Sequence, residues 1–174
     1  VGEAEAHLAD LEIGTAATSI VDEPVTFESA TGRWTPQNYD HKFHGTVSLR
    51  TALEQSLNIP AVKIAQLVGT KRILQLAEKL GIRSPLAENL SIALGTSGVS
   101  LLEMTSAFGV LAHEGISMAP TALQAVMTPE GDPAWHHTPA RHQAVSPQAA
   151  NRAMDAVSAA NLMSFIDRIL NAEK

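Results

Sequence analysis

Apolar residues recur at helical spacing over much of the chain, and the runs break at Ser, Pro and Gly. Residues 3–12 carry Ala6, Leu8, Ala9 and Leu11 and stop at Gly14, the pattern of a helix ending in a glycine cap. Ser48 is placed to cap a helix with the stripe Leu49, Ala52 and Leu53, and Ser56 follows on the same stripe. Pro60 stops that run, because the residue before a proline is pushed out of the α region. It also suits the first turn of a new helix, with Val62, Ile64 and Ala65 inward and Gly69 at its close. Ser56-Leu57-Asn58 is therefore expected at a break between two helices, where side chains project sideways into a cleft. Thr70 opens a third helix through Ile73, Leu74, Ala77 and Leu80 to Gly81. Ser100-Leu101-Leu102-Glu103 has capping-box spacing, and the helix behind it is expected to bury Leu101, Met104, Phe108 and Leu111 before Gly115. Ser146-Pro147 opens a last helix through Ala150, Met154, Val157, Phe165 and Ile169.

Strand signals are few and short. Pro24 to Glu28 reads as a strand, Thr31-Gly32 as a turn before Arg33-Trp34, and Thr35 to Gly45 as an ordered loop without period. Thr121 to Met127 is strand-like, Pro129-Glu130-Gly131 is a turn, and Ala134-Trp135 is a returning strand. With no repeat, low-complexity tract or linker, the pattern predicts one α+β domain, or part of one, mostly helical with a small β element.

Length and charge narrow the function. The 174 residues suffice for a buried core, and 12 basic against 18 acidic side chains give a net charge of -6. That balance excludes a phosphate-backbone binder, so no nucleic-acid partner is expected. The absence of Cys excludes a disulfide scaffold, a Cys nucleophile and thiolate metal sites. No apolar run approaches the ~18 residues of a membrane span. The N-terminus has neither signal-peptide character nor an initiator Met, so the chain is expected to be processed or part of something longer. His41 and His44 beside Asp40 lack further ligands, and His136, His137 and His142 fall in a surface loop; no metal is expected. Gly95-Thr96-Ser97-Gly98 lacks Walker spacing and a following Lys, and no cofactor site is expected.

On spacing alone, Ser56-x-Asn58 is a helix-end cap. Its surroundings say more. Asn38-Tyr39-Asp40, Phe43-His44-Gly45, Ser48-Leu49-Arg50-Thr51-Ala52-Leu53 and Ser56-Leu57-Asn58-Ile59-Pro60-Ala61-Val62-Lys63 stand in one run. Leu80-Gly81-Ile82, Ser84-Pro85-Leu86, Ser91 to Ser97 and Leu101-Leu102-Glu103-Met104 follow in order. Together they resemble the transpeptidase domain of class A penicillin-binding proteins, over roughly residues 15–125 and more loosely 140–160. The resemblance implies the helical portion of a penicillin-binding protein or serine β-lactamase-like fold, with residues 1–174 a partial transpeptidase domain and 162–174 not alignable.

That family works with Ser-x-x-Lys, Ser-x-Asn and Lys-Thr-Gly. By resemblance, Ser56 relays a proton between catalytic Lys side chains and the leaving nitrogen, and Asn58 hydrogen-bonds substrate backbone and orients the nucleophile's Lys. The implied partners are a peptidoglycan stem peptide and β-lactams, and the implied setting is the periplasmic face of the bacterial inner membrane. No Ser of this chain has Lys three positions later, and no Lys begins Lys-Thr-Gly. The chain alone is thus expected to be inactive, and to self-associate through apolar surface that the rest of the domain would cover. The alternative is a catalytically dead helical interaction module derived from the same fold.

Overall fold

The computed structural model describes residues 15–29, 32–155 and 157–158. The predicted helix over 3–12, Phe165, Ile169 and the stretch 162–174 lie outside them. The chain divides into two compact units. Among the described residues, the first takes in those up to Leu74, then Leu86–Gly98 and residues 155, 157 and 158; the second takes in Gln75–Pro85 and Val99–Met154.

In the first unit, β1 (Ser19–Asp22) pairs antiparallel with β4 (Gly45–Ser48), from Ser19 opposite Ser48 to Asp22 opposite Gly45. β2 (Phe27–Ser29) and β3 (Gly32–Trp34) form a hairpin that sets the Phe27 and Trp34 rings 6.0 Å apart. α1 (Leu49–Glu54) leaves β4 without a loop, because Ser48 turns from strand to cap: its Oγ accepts from the Thr51 amide at 3.0 Å. α2 (Asn58–Val68) buries Ile59 and Val62 completely and Ala65 nearly so, against β1 and a short 3-10 helix at Leu90–Leu94. Full burial of each of the two larger side chains stabilises by about 1.5–3 kcal/mol. Gly69 closes α2 at φ 88°, as the sequence predicts, and α3 (Thr70–Lys79) follows directly.

α2 begins two residues ahead of Pro60. The proline occupies the third helical position, where its missing N–H costs nothing because that amide has no intrahelical acceptor. It therefore lies in the first turn of α2, as the sequence suggests, but it does not stop the preceding helix, which ends at Glu54.

The second unit is led by α4 (Leu101–Ala112), and the capping box predicted for it is present. The predicted buried stripe is not: Leu101 is 84% exposed, Met104 40% and Phe108 44%, Leu111 is half-buried, and the buried residues are Ala107 and Val110. Period alone groups residues on a face; which face is covered depends on what packs there, and here β5 (Ile116–Met118) packs against α4. β6 (Ala125–Met127) and β7 (Pro133–His136) form the expected hairpin around the turn at Gly131, whose φ is 92°. β8 (Arg141–Gln143) returns to pair with β5. A side chain at Gly115 would collide with the Val145 carbonyl, and its φ of 81° independently demands glycine. Residues 147–155 are helical, as Ser146-Pro147 predicts. The two-stranded pairs β1–β4 and β5–β8 carry no period-2 signal, since three or four residues joined to a distant partner leave too short a pattern. The whole is α+β, as expected, with the β content in small pairs.

Candidate active site

α1 ends in a Schellman motif built around Ser56. The Leu57 amide donates to the Ala52 carbonyl at 2.9 Å and the Ser56 amide to the Leu53 carbonyl at 3.1 Å. The residue between must be left-handed, and Ser56 is, at φ 53°. Glycine normally fills this position, because a β-carbon there costs roughly 1 kcal/mol or more. Ser56 is exposed, and among the described residues its hydroxyl makes no hydrogen bond. Its backbone thus ends α1, while its side chain, among the described residues, caps neither helix by a hydrogen bond.

Leu57 is buried as the cap residue of α2 and contributes no side-chain hydrogen bond to that helix. Asn58 is the first helical residue, and its Nδ2 donates to the Gln37 carbonyl at 2.8 Å. That commits the amide nitrogen and leaves Oδ1 as an acceptor with no donor among the described residues. Ser56 and Asn58 both line a groove of about 560 Å³ whose other walls are apolar, among them Leu53, Pro60, Ile64 and Leu94. The turn thus sets two polar residues into the lining of an otherwise apolar trough. The expectation that Ser56-Leu57-Asn58 faces a cleft at a helix break holds for both polar side chains.

The floor behind this turn is polar and buried. Asn38 is 3% exposed and Asp22 fully buried. Asn38 Oδ1 accepts from the Asn58 amide at 2.9 Å and the Ile59 amide at 3.3 Å, while its Nδ2 donates to Asp22 Oδ2 at 2.7 Å and the Lys42 carbonyl at 2.8 Å. Asp22 Oδ2 also accepts from the His44 amide at 2.9 Å, and His44 Nδ1 lies 2.8 Å from it. His44 Nε2 stands 3.2 Å from Asp40 Oδ2, whose carboxyl is held below its usual range chiefly by the Lys42 amide. His44 is thus engaged by two carboxylates, and His41 turns instead to Gln37 at 2.9 Å. Lys63 reaches the Val21 carbonyl at 2.8 Å and Glu23 at 3.1 Å, so its ammonium ties α2 to β1 and is not directed at Ser56. Sequence reasoning passed over Asp22 and read Asn38 only as part of a matching block; nothing local marks a residue whose partners lie 16 to 22 positions away.

With this fold and turn in place, comparison with known proteins defines the class. The family model of the penicillin-binding protein transpeptidase domain matches residues 9–161, and the chain belongs to that family. Among its relatives, penicillin-binding protein 1B of Vibrio cholerae is 33% identical over 136 residues, 77% of this chain and 18% of that protein. Penicillin-binding protein 1A of Pseudomonas aeruginosa is 32% identical over 130 residues, 73% of this chain and 16% of that protein. Penicillin-binding protein 1A from Haemophilus influenzae superposes with a TM-score of 0.67 at 25% identity, over 79% of this chain and 21% of that one. The chain therefore spans under a fifth of the two sequence relatives' length, and the class A resemblance read from its motifs stands. Among the described residues no helix is long and apolar enough to cross a membrane.

Proposed function

We propose that Ser56 and Asn58 are the Ser-x-Asn residues of a peptidoglycan D,D-transpeptidase site. A Ser-x-x-Lys nucleophile and a Lys-Thr-Gly segment, which this sequence does not contain, complete it. The observation that carries the reading is Ser56 itself: a serine held left-handed where glycine is easier, exposed, unpaired and in the groove lining. Backbone cost retained at such a position is a mark of use.

The chemistry is the one the family resemblance implies. The nucleophilic serine oxygen bonds to the carbonyl carbon of a D-Ala-D-Ala stem, and the C–N bond breaks. The terminal D-Ala leaves as an amine, and the Ser56 hydroxyl passes it the proton taken from the nucleophile's side. A second stem's amine then displaces the ester, its proton returning by the same hydroxyl. Asn58 Oδ1, free to accept, orients the lysine ammonium or a substrate N–H. A β-lactam enters the first step and stays as the acyl adduct, and the reaction uses no cofactor. The parent protein works on the periplasmic face of the inner membrane, on the pattern of its class A relatives.

The test uses a complete class A penicillin-binding protein carrying residues 15–155 of this chain in register. Ser56→Ala should slow acylation by a fluorescent penicillin about 10²–10⁴-fold, the worth of a positioned proton relay, with the melting temperature unchanged. An unchanged rate per folded molecule would return Ser56 to a purely structural role. The 174-residue chain alone should take no adduct, since it has no nucleophile to form the ester.

The exposed apolar residues support self-association of that lone chain. Leu53 in the first unit is 52% exposed, and Leu101 and Leu102 in the second are 84% and 61% exposed. Light scattering should report dimers or larger species. A monodisperse monomer with a cooperative melt would favour the other reading, an interaction module that closes its own core without turnover.

A further inference from the structure

The Ser56 turn is held from outside its own segment. α2 must satisfy the first amides of its opening turn, and its own cap residue, Leu57, has no side chain able to do so. Asn38 does it instead, from the loop 20 residues earlier. We propose that Asn38, anchored by Asp22, is a positioning residue for Ser56 and Asn58, setting where the hydroxyl and the amide oxygen stand in the groove lining. The inference rests on the transpeptidase reading for its catalytic consequence, and on geometry alone for its structural one.

Three features carry it. First, the Asn38 amide has one workable orientation. Turning it over would set its NH₂ against the Asn58 and Ile59 amides and its oxygen against Asp22 Oδ2 and the Lys42 carbonyl, so four attractive contacts would become four repulsive ones. Second, the adjacent Gln37 carbonyl takes the Asn58 side chain, so residues 37 and 38 grip both the backbone and the side chain of the same residue. Third, the anchor is buried. Asp22 is fully buried, lies in β1 opposite Gly45, and collects Asn38 Nδ2 and the His44 amide on one oxygen. One buried chain of contacts thus runs from β1 through Asn38 to the first turn of α2, and Ser56 stands two residues before that turn.

Asn38→Asp is the discriminating variant. It is isosteric and keeps an acceptor for the α2 amides, but it loses both Nδ2 donations and faces the Asp22 carboxylate. Asn38→Ala loses everything at once. In the 174-residue chain, amide exchange followed by NMR should quicken at Asn58 and Ile59 by about 5- to 30-fold in Asn38→Ala, the scale of a lost cap, and by a smaller factor in Asn38→Asp, which keeps the acceptor but loses its anchor. The Ala65 amide in mid-helix should keep its rate, and the chemical shifts of Ser56 should report departure from φ 53°. Uniform acceleration along α2, or none, overturns the proposal. If Asn38→Ala does not fold, Asn38→Asp decides by the same measure.

The catalytic consequence is read in the complete protein described above, with Ser56→Ala in parallel. Asn38→Asp should lower the acylation rate constant at saturating penicillin about 5- to 30-fold per folded molecule, as the same displacement passed on to the hydroxyl. If Ser56→Ala slows acylation and Asn38→Asp does not, positioning by Asn38 fails and the transpeptidase reading survives. If Ser56→Ala itself has no effect, the transpeptidase reading of Ser56 fails, whatever the exchange data say of Asn38.

Discussion

α2 and α4 each begin with backbone amides in need of acceptors, and they find them in different places. At α4 the answer is local. The Glu103 amide donates to Ser100 Oγ at 3.3 Å, and the Glu103 carboxylate returns to the Ser100 amide at 3.1 Å and its hydroxyl at 2.7 Å. The same carboxylate also accepts from the Arg83 amide at 2.7 Å and from the Ser84 amide and hydroxyl at 2.8 and 2.6 Å, so it pins a second loop. The Ser100 hydroxyl and both Glu103 carboxylate oxygens are spent on structure. At α2 the acceptor comes from Asn38, the cap residue is an apolar, buried Leu57, and the polar residues on either side of it keep a hydroxyl and an amide oxygen uncommitted. A cap borrowed from a distant loop leaves the local side chains unspent, whereas a capping box uses them up.

The sharpest way to break this comparison is to remove the two serines in the complete protein. Ser56→Ala should cost about 10²–10⁴ in acylation and little in stability, whereas Ser100→Ala should leave the acylation rate per folded molecule unchanged. In a denaturant melt Ser100→Ala should lose about 1 kcal/mol, the usual worth of an N-cap hydroxyl. If both serines affect acylation alike, the two helix starts do not differ in the way described.

A smaller effect separates function from stability at one residue. Ser56→Gly should raise stability by about 0.5–1 kcal/mol, because glycine takes a left-handed C-terminal position without the β-carbon's cost. It should nonetheless acylate as poorly as Ser56→Ala. A destabilised Ser56→Gly would mean that the Ser56 side chain contributes packing that offsets its backbone conformation.

The mildest test is pH. Donation chiefly from the Ser84 hydroxyl, then from the Ser100 hydroxyl and the Arg83 amide, draws the Glu103 carboxyl down to about 2 from 4.5. A depressed folded-state value stabilises the fold above the unfolded value, so this contribution is complete above about pH 4.5 and fades as pH falls toward 2. Glu103→Gln should remove that part of the acid slope of the melting temperature. The corresponding slope should survive in Asn38→Ala, which adds no titrating group and leaves Glu103 and its donors in place.

What could be read along the chain follows the range of the interactions involved. Ser48 as a cap, the Ser100–Glu103 box, Gly69 at a helix end and the turn at Gly131 all depend on residues within about four positions of one another, so residue types and spacing suffice to find them. Family resemblance added Ser56 and Asn58, which spacing alone would have made an ordinary cap. Tertiary structure decided the rest. At the start of α2, ahead of Pro60, the first amides donate to Asn38, brought in from 20 residues earlier. The pairing of β1 with β4 and of β5 with β8 required strands separated by 20 residues or more to meet. The covered face of α4 is Ala107 and Val110 rather than the larger Leu101, Met104 and Phe108, because hydrophobic burial is non-directional and goes to whichever face has a neighbour. A period of 3.6 names the candidates for burial; the partner element chooses among them.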